Sequence, residues 1–364
     1  MSEKLLISKI LIIGGGLTGS ITASLIKHEA FVDIEVWERM DQIGGRCQTY
    51  NSSIIPRCSA DCGAQYVNVS LEFIRSQAKF YDELLEKNLL VPHGQKIENF
   101  RKLSESKTTF VAPRGTGSLV HHFLDKADCE LHLNHEVVEI NLTEDRKQWE
   151  VKLKNGAIRE FDVVILTIPV PEVLKLGGNF LSLNQDDDIK VAMEQVKYSP
   201  RYAIALLYNE PVAYFEELPF VMKHFNDDEM FYLMSIDKEE YENKSESPAV
   251  IIQSTTTFAE SYADKSEDEI RSLMIEHLKC LMPEFPEPVD VKIFYWTYAK
   301  LVDPYIDAPG CIVLHNNPCF ISGGDSYTES TINGNITSSL KIVEELLKRV
   351  NFIKGRRRNS RKSS

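Results

Sequence analysis

The sequence predicts an α/β fold of two domains, one a parallel sheet assembled from three separated stretches of chain and the other a mixed sheet. Three observations carry this. A short β-branched run near the start, Lys9–Ile13, ends in glycines and leads into a helical pattern and a second strand. Another apolar strand, Phe161–Thr167, arrives mid-chain, and Cys319–Asp325 repeats the strand-then-glycine pattern near the far end. At 364 residues and 43% hydrophobic content the chain is long enough to bury two cores.

Taken in order, Lys9–Ile13 has the continuous apolar character of a strand buried on both faces. Leu17, Ile21, Leu25 and Ile26 recur at helical spacing, so a helix is expected from Leu17 to Glu29, and Ile34–Trp37 completes a βαβ unit. A helix is expected over Phe73–Leu85. Trp149–Leu153 alternates as a half-exposed strand, Asn155-Gly156 marks a hairpin, and Phe161–Thr167 is a buried strand of the same sheet region, stopped by Pro169 and Pro171. From about Lys175 to Pro304 the composition shifts to aromatic-rich strands such as Tyr202–Tyr208 and Ala249–Gln253, with a helix at Asp268–Leu281. Ile332–Arg349 is the last helix. The first domain is therefore expected to comprise residues 1–85, 115–174 and 305–352, with 86–114 an insertion belonging to the second domain, 175–304. Residues 353–364 form a basic tail without apolar content for a core.

The net charge is −13, and residues 354–364 contribute six positive charges, leaving −19 on the rest. A body that acidic repels nucleic acid, and no apolar run reaches the ~20 residues of a membrane span. No signal-peptide plan is visible, so a cytoplasmic location is expected, with export by a route lacking a signal peptide as the alternative. Seven scattered cysteines fit reduced thiols, and Cys58 and Cys62 lack companion ligands for zinc, so no metal is expected.

The chemistry begins at Gly14, Gly16 and Gly19, a G-x-G-x-x-G run between a strand and a helix. Such glycines provide a tight turn, close backbone approach to a pyrophosphate at the helix N-terminus, and close helix–strand packing. Glu38 ends the next strand, where an acidic side chain accepts hydrogen bonds from ribose hydroxyls. Gly44-Gly45-Arg46 then places a guanidinium where a second diphosphate contact is useful, which favours FAD over NAD. Gly323-Gly324-Asp325, followed by a helix, supplies a third piece: Asp325 for the ribityl chain and helix amides for the flavin ring.

Together Gly14–Gly19, Gly44-Gly45-Arg46, Ala60–Tyr66, Phe110–Pro113, Leu166–Glu172 and Gly323-Gly324-Asp325 closely resemble, in order and spacing, the motifs of the renalase family. The resemblance runs from about residue 5 to 350. It implies an FAD-binding Rossmann-like domain of the p-hydroxybenzoate hydroxylase and amine oxidase fold group, with FAD held non-covalently. By motif match it implies Thr18, Arg46, Gln65 and Tyr66 as FAD contacts, joined by Glu38, Val137 and Asp325. It further implies oxidation of 2- and 6-dihydro isomers of NAD(P) to NAD(P)+, with dioxygen reduced to hydrogen peroxide.

A dihydropyridine that loses hydride becomes an aromatic cation directly, which fits the lack of a general-base motif. Positioning falls to second-domain aromatics, of which Tyr202, Trp296 and Tyr298 are the candidates, while Arg201, Lys223 or His224 are the cations available to an anionic dinucleotide. Trp296 is followed by Thr297 and Tyr298, where vertebrate members carry a basic residue and histidine, so substrate preference stays open. Two other readings also stay open: an FAD-dependent amine oxidase, although neither Cys311 nor Cys319 has the context of a flavin tether, and a non-catalytic signalling flavoprotein.

Overall fold

A computed structural model describes residues 6–29, 32–56, 58–94, 97–99, 107–183, 187–237 and 247–352. The basic tail lies outside the described residues. The larger sheet has six strands in the order Glu130–His132, Asp33–Trp37, Lys9–Ile13, Val163–Leu166, Cys319–Gly323 and Cys311–His315. The first five are parallel and the last is antiparallel. The Lys9–Ile13 strand is apolar on both sides because both are covered. Ile10 and Ile12 belong to the core shared with the Leu17–Glu29, Gly117–Ala127 and Ile332–Arg349 helices, while Leu11 and Ile13 pack with Trp37, Trp149 and Phe161. Each fully buried isoleucine there contributes about 1.5–3 kcal/mol.

Register brings the chemistry to one edge. Ile13 is level with Trp37 and with Leu166, which is in turn level with Ser322, so the Gly14 turn, Glu38, Thr167 and Gly324 emerge together at the carboxyl ends of the parallel strands. That is where open α/β sheets bind ligands.

The second sheet also has six strands: Asp290–Asp303, Lys197–Leu207, Ala249–Ser254, Phe231–Asp237, Met222–His224 and Ile97–Glu98. Alternation divides its faces. Tyr202, Ile204 and Leu206 pack under the Glu267–Leu281 helix, whose start is closed by a Ser266–Glu269 capping box. Ala205, Leu207 and Ile251 face Cys58, Ala60 and Cys62 of the other domain.

Two sequence expectations change. The single helix over Phe73–Leu85 is two, Leu71–Ser76 and Ala78–Glu86, broken where Gln77 leaves helical geometry at φ −117° and ψ 33°. The Phe161–Thr167 strand also divides. Ile158–Phe161 closes a separate antiparallel sheet with Val137–Leu142 and Trp149–Leu153, whereas Val163–Leu166 enters the parallel sheet. Asp162 marks the switch, its carboxylate accepting the Ser8 and Lys9 amides at 2.8 and 2.9 Å and the Gln148 side-chain amide at 2.9 Å.

Candidate functional site

The three glycines of the first turn have separable reasons to be glycine. Gly14 adopts φ +116°, a conformation that side-chain-bearing residues rarely take. A Cβ on Gly19 would collide with the Gly14 carbonyl oxygen, so that glycine seats the helix on the strand. A Cβ on Gly16 would meet no protein atom nearer than the Gly44 carbonyl oxygen at 4.0 Å, so packing within the protein does not require glycine there. Gly45 and Gly324 share this property, with nearest protein atoms at 3.5 and 3.7 Å. These three line a cradle that side chains would fill, and its backbone fits a dinucleotide diphosphate.

Around the cradle, Glu38 accepts the Gly15 amide and the Met40 amide, each at 2.9 Å, which ties the second strand to the turn. The Gly44 amide donates to the Gly15 carbonyl at 2.9 Å, docking the second glycine pair on the first. Thr18 donates to Asn335 Oδ1 at 2.7 Å, joining the first helix to the last one's N-terminus. Val137 is buried at the start of its strand, two residues past His135, whose amide donates to the Glu38 carbonyl at 2.8 Å.

Arg46 and Asp325 meet directly. Arg46 Nη1 donates to Asp325 Oδ2 at 2.6 Å and to Ser330 Oγ at 3.2 Å. Ser330 Oγ donates to the same carboxylate at 2.6 Å, and Tyr198 donates to its other oxygen at 2.8 Å. Burial alone would push the Asp325 carboxyl up, but the Arg46 charge and the three donors hold it below the usual carboxylate range. Burial and the neighbouring Asp325 push the Tyr198 phenol up, so it stays a protonated donor. Tyr198 and Ser330 carry no motif in the sequence; only the fold brings them here. Changing Tyr198 to Phe removes one donor to a buried carboxylate, about 1–2 kcal/mol. FAD titration of the Y198F apoprotein is therefore expected to show roughly tenfold weaker binding, and unchanged affinity would mean that the bond does not organise the site.

The facing wall comes from the second sheet and the Cys62–Tyr66 strip. Trp296 Nε1 donates to the Cys62 carbonyl at 2.9 Å, and Gln253 donates to the Gly63 carbonyl at 2.6 Å. Gln65 donates to the Asp61 carbonyl, and the Tyr66 hydroxyl lies 3.5 Å from His224 Nε2. Tyr298 sits edge-on to Tyr198 at 5.6 Å and accepts from Lys175 at 3.0 Å. Tyr202 is not brought to this wall. It is 4% exposed on the opposite face, its hydroxyl donating to the Tyr262 carbonyl at 3.0 Å, because strand alternation turns Arg201 toward the cleft and Tyr202 away. Lys223 is paired with Glu98 at 2.9 Å. Sequence reasoning also missed Gln253 and Tyr232, which no local pattern distinguishes.

Burial pushes the Cys47, Cys311 and Cys319 thiols up to about 12, so all three are neutral at physiological pH. Glu35, Glu130 and His132 gather at the outer edge of the parallel sheet, but Arg159 already holds Glu35 at 2.5 Å. No helix among the described residues is long and apolar enough to cross a membrane.

Comparison with known proteins agrees with this architecture. A family model for an NAD(P)-binding Rossmann-like domain matches residues 12–84, and one for flavin containing amine oxidoreductase matches residues 80–305. Renalase of Mus musculus is 35% identical over 343 residues, covering 93% of this chain and 98% of that one. The chain belongs to the renalase family. The protein is accordingly an FAD-dependent oxidoreductase, and the cradle is of the kind such a cofactor needs. A solved structure from Exiguobacterium sp. 255-15, provisionally described as a protoporphyrinogen oxidase, has a TM-score of 0.67 at 12% identity, covering 95% of this chain and 100% of that chain. That likeness speaks for the fold alone.

Proposed function

We propose that the protein oxidises 2- and 6-dihydro isomers of NAD(P) to NAD(P)+, with dioxygen reduced to hydrogen peroxide, and that its FAD is held non-covalently. Bound FAD supplies a two-electron acceptor for the hydride. The residues proposed to hold it are the Gly14, Gly16 and Gly19 turn with Thr18 and Glu38, the Gly45-Arg46 and Gly324-Asp325 pieces, Val137, Gln65 and Tyr66. Neutral, core-packed Cys311 and Cys319 support non-covalent binding.

The observation that carries the substrate reading is the state of the proton acceptors beside the wall. Asp61 accepts Thr49 Oγ1 at 2.5 Å and the Thr116 amide at 2.9 Å, and Asp325 already accepts bonds from Arg46, Ser330 and Tyr198 and is held below the usual carboxylate range. Burial and the nearby Arg201 charge lower the His224 pKa, which makes that imidazole a weak base. An amine arrives at neutral pH as an ammonium ion and must shed a proton before hydride leaves. A dihydropyridine gives up only hydride. What this wall offers is orientation: Trp296, fixed by its bond to the Cys62 carbonyl, and Tyr66 present rings, while Gln253 braces the strip between them.

The test is anaerobic mixing of the purified yellow protein with a borohydride-made mixture of NADH isomers, following flavin absorbance near 450 nm, with primary amines run in parallel. The expected result is rapid bleaching by a minor isomer and peroxide on admitting air. Bleaching by amines alone would overturn the proposal in favour of amine oxidation.

A further inference from the structure

Among the cations of the second domain, Arg201 stands in an unusual setting. Its guanidinium carbon lies 3.9 Å from the centre of the Tyr232 ring, and Nη1 donates to the Ser254 carbonyl at 3.1 Å. Among the described residues no carboxylate pairs with it, although Arg46, Arg159 and Arg349 each hold one within 2.6 Å. Its position is cross-strand from Trp296, and Tyr232 lies among the residues around Tyr66. Burying a charge without a counter-ion is costly, and in a body of net charge −13 an acidic partner would have been easy to supply. Ring stacking also fixes the guanidinium plane, so its edge is presented in one direction, as bidentate recognition of a phosphate requires.

The geometry points to Arg201, oriented by Tyr232, as the anchor for a phosphate group of the substrate. This rests on the dihydro-NAD(P) reading for the identity of the ligand, and it places the dinucleotide's charged segment beside Tyr232 and its reactive ring toward Trp296. The neighbouring cations do not compete for the role. Lys223 is neutralised by Glu98, and His224 is held neutral. The acidic body gives no long-range attraction to an anionic substrate, so one local cation decides affinity.

The experiment uses the FAD-loaded enzyme and its R201Q and R201K variants, with flavin content checked by absorbance. KM and kcat are measured for the dihydro dinucleotide and for the matching dihydronicotinamide riboside, which has no phosphate. R201Q is expected to raise KM for the dinucleotide about thirtyfold, as for loss of a charge-assisted pair, with kcat within about twofold and the riboside unchanged. R201K, which keeps the charge but not the fork, is expected to fall between. Equal losses for dinucleotide and riboside, or no loss for either, would overturn the assignment. Calorimetric titration with ADP separates this from the substrate reading. If the enzyme oxidises neither dihydro compound yet binds ADP at least tenfold more tightly than R201Q does, the anchor stands and the substrate reading fails. ADP binding indifferent to R201Q removes the anchor. Should R201Q not fold, the same two comparisons are made with R201K, and wild-type behaviour toward both dinucleotide and ADP overturns the assignment.

Discussion

Replacing Arg46 by alanine is expected to yield a folded, colourless protein whose affinity for FAD is at least a hundredfold below that of the wild type. The reason is double. Arg46 is the counter-ion of Asp325, which is only 4% exposed, and removing one partner of a buried pair costs about 3–5 kcal/mol. The same guanidinium also follows directly on Gly45 of the cradle, where a diphosphate would lie. Once it is gone, burial pushes the Asp325 carboxyl up and the group takes a proton at a higher pH than in the wild type. In the wild type, with the carboxyl held below its ordinary value, its contribution persists above the ordinary carboxylate pKa and is lost as pH falls through the lowered one. The variant should therefore release FAD at a higher pH. The measurement is flavin content per protein together with apoprotein titration from pH 4 to 8. A yellow R46A protein with the wild-type acid profile would show that the pair is dispensable.

The second large effect separates two glycines three residues apart. Alanine in a helix is normally better than glycine by about 1 kcal/mol, yet Gly19→Ala should cost several times that, about 3 kcal/mol or more, because its Cβ meets backbone that cannot move aside. Gly16→Ala should leave apoprotein stability within about 0.5 kcal/mol of the wild type, since its Cβ meets only the Gly44 carbonyl oxygen, at an ordinary contact distance of 4.0 Å. It should nevertheless weaken FAD binding about a hundredfold by occupying the approach of the diphosphate. Thermal melts of the apoproteins with FAD titrations distinguish the two. If G16A binds FAD as the wild type does, the cradle does not approach the cofactor there.

The contrast between these glycines shows which parts of the molecule are legible in the chain. The Gly14 turn, the Leu17–Glu29 helix and the Glu38 carboxylate are local. Periodicity and spacing fixed them within residues of their final places. The Arg46–Asp325 pair joins positions 279 residues apart, and each partner was recognisable only by its own motif, not as half of a pair. Tyr198 was invisible because its role depends on where its strand begins in space. Tyr202 and Arg201 are the sharpest case. Adjacent residues of a strand point to opposite faces, and which face meets the Cys58–Cys62 segment is set by sheet register and by the irregularity between Ser199 and Arg201, neither of which is written in composition. Asp162 similarly turned one apolar run into strands of two sheets through bonds to Ser8 and Lys9, over 150 residues away.

One feature of the Lys197–Leu207 strand bears on how the cleft works. Tyr198, near one end, is bonded to Asp325 of the parallel-sheet domain, whereas Arg201, three residues on, belongs to the opposing wall. The strand is hydrogen-bonded along most of its length to Asp290–Asp303, so the two positions are held in one sheet framework. Swinging the domains apart would tear Tyr198 from Asp325. The strand therefore acts as a tether that spans from the Asp325 cluster to the wall carrying Arg201.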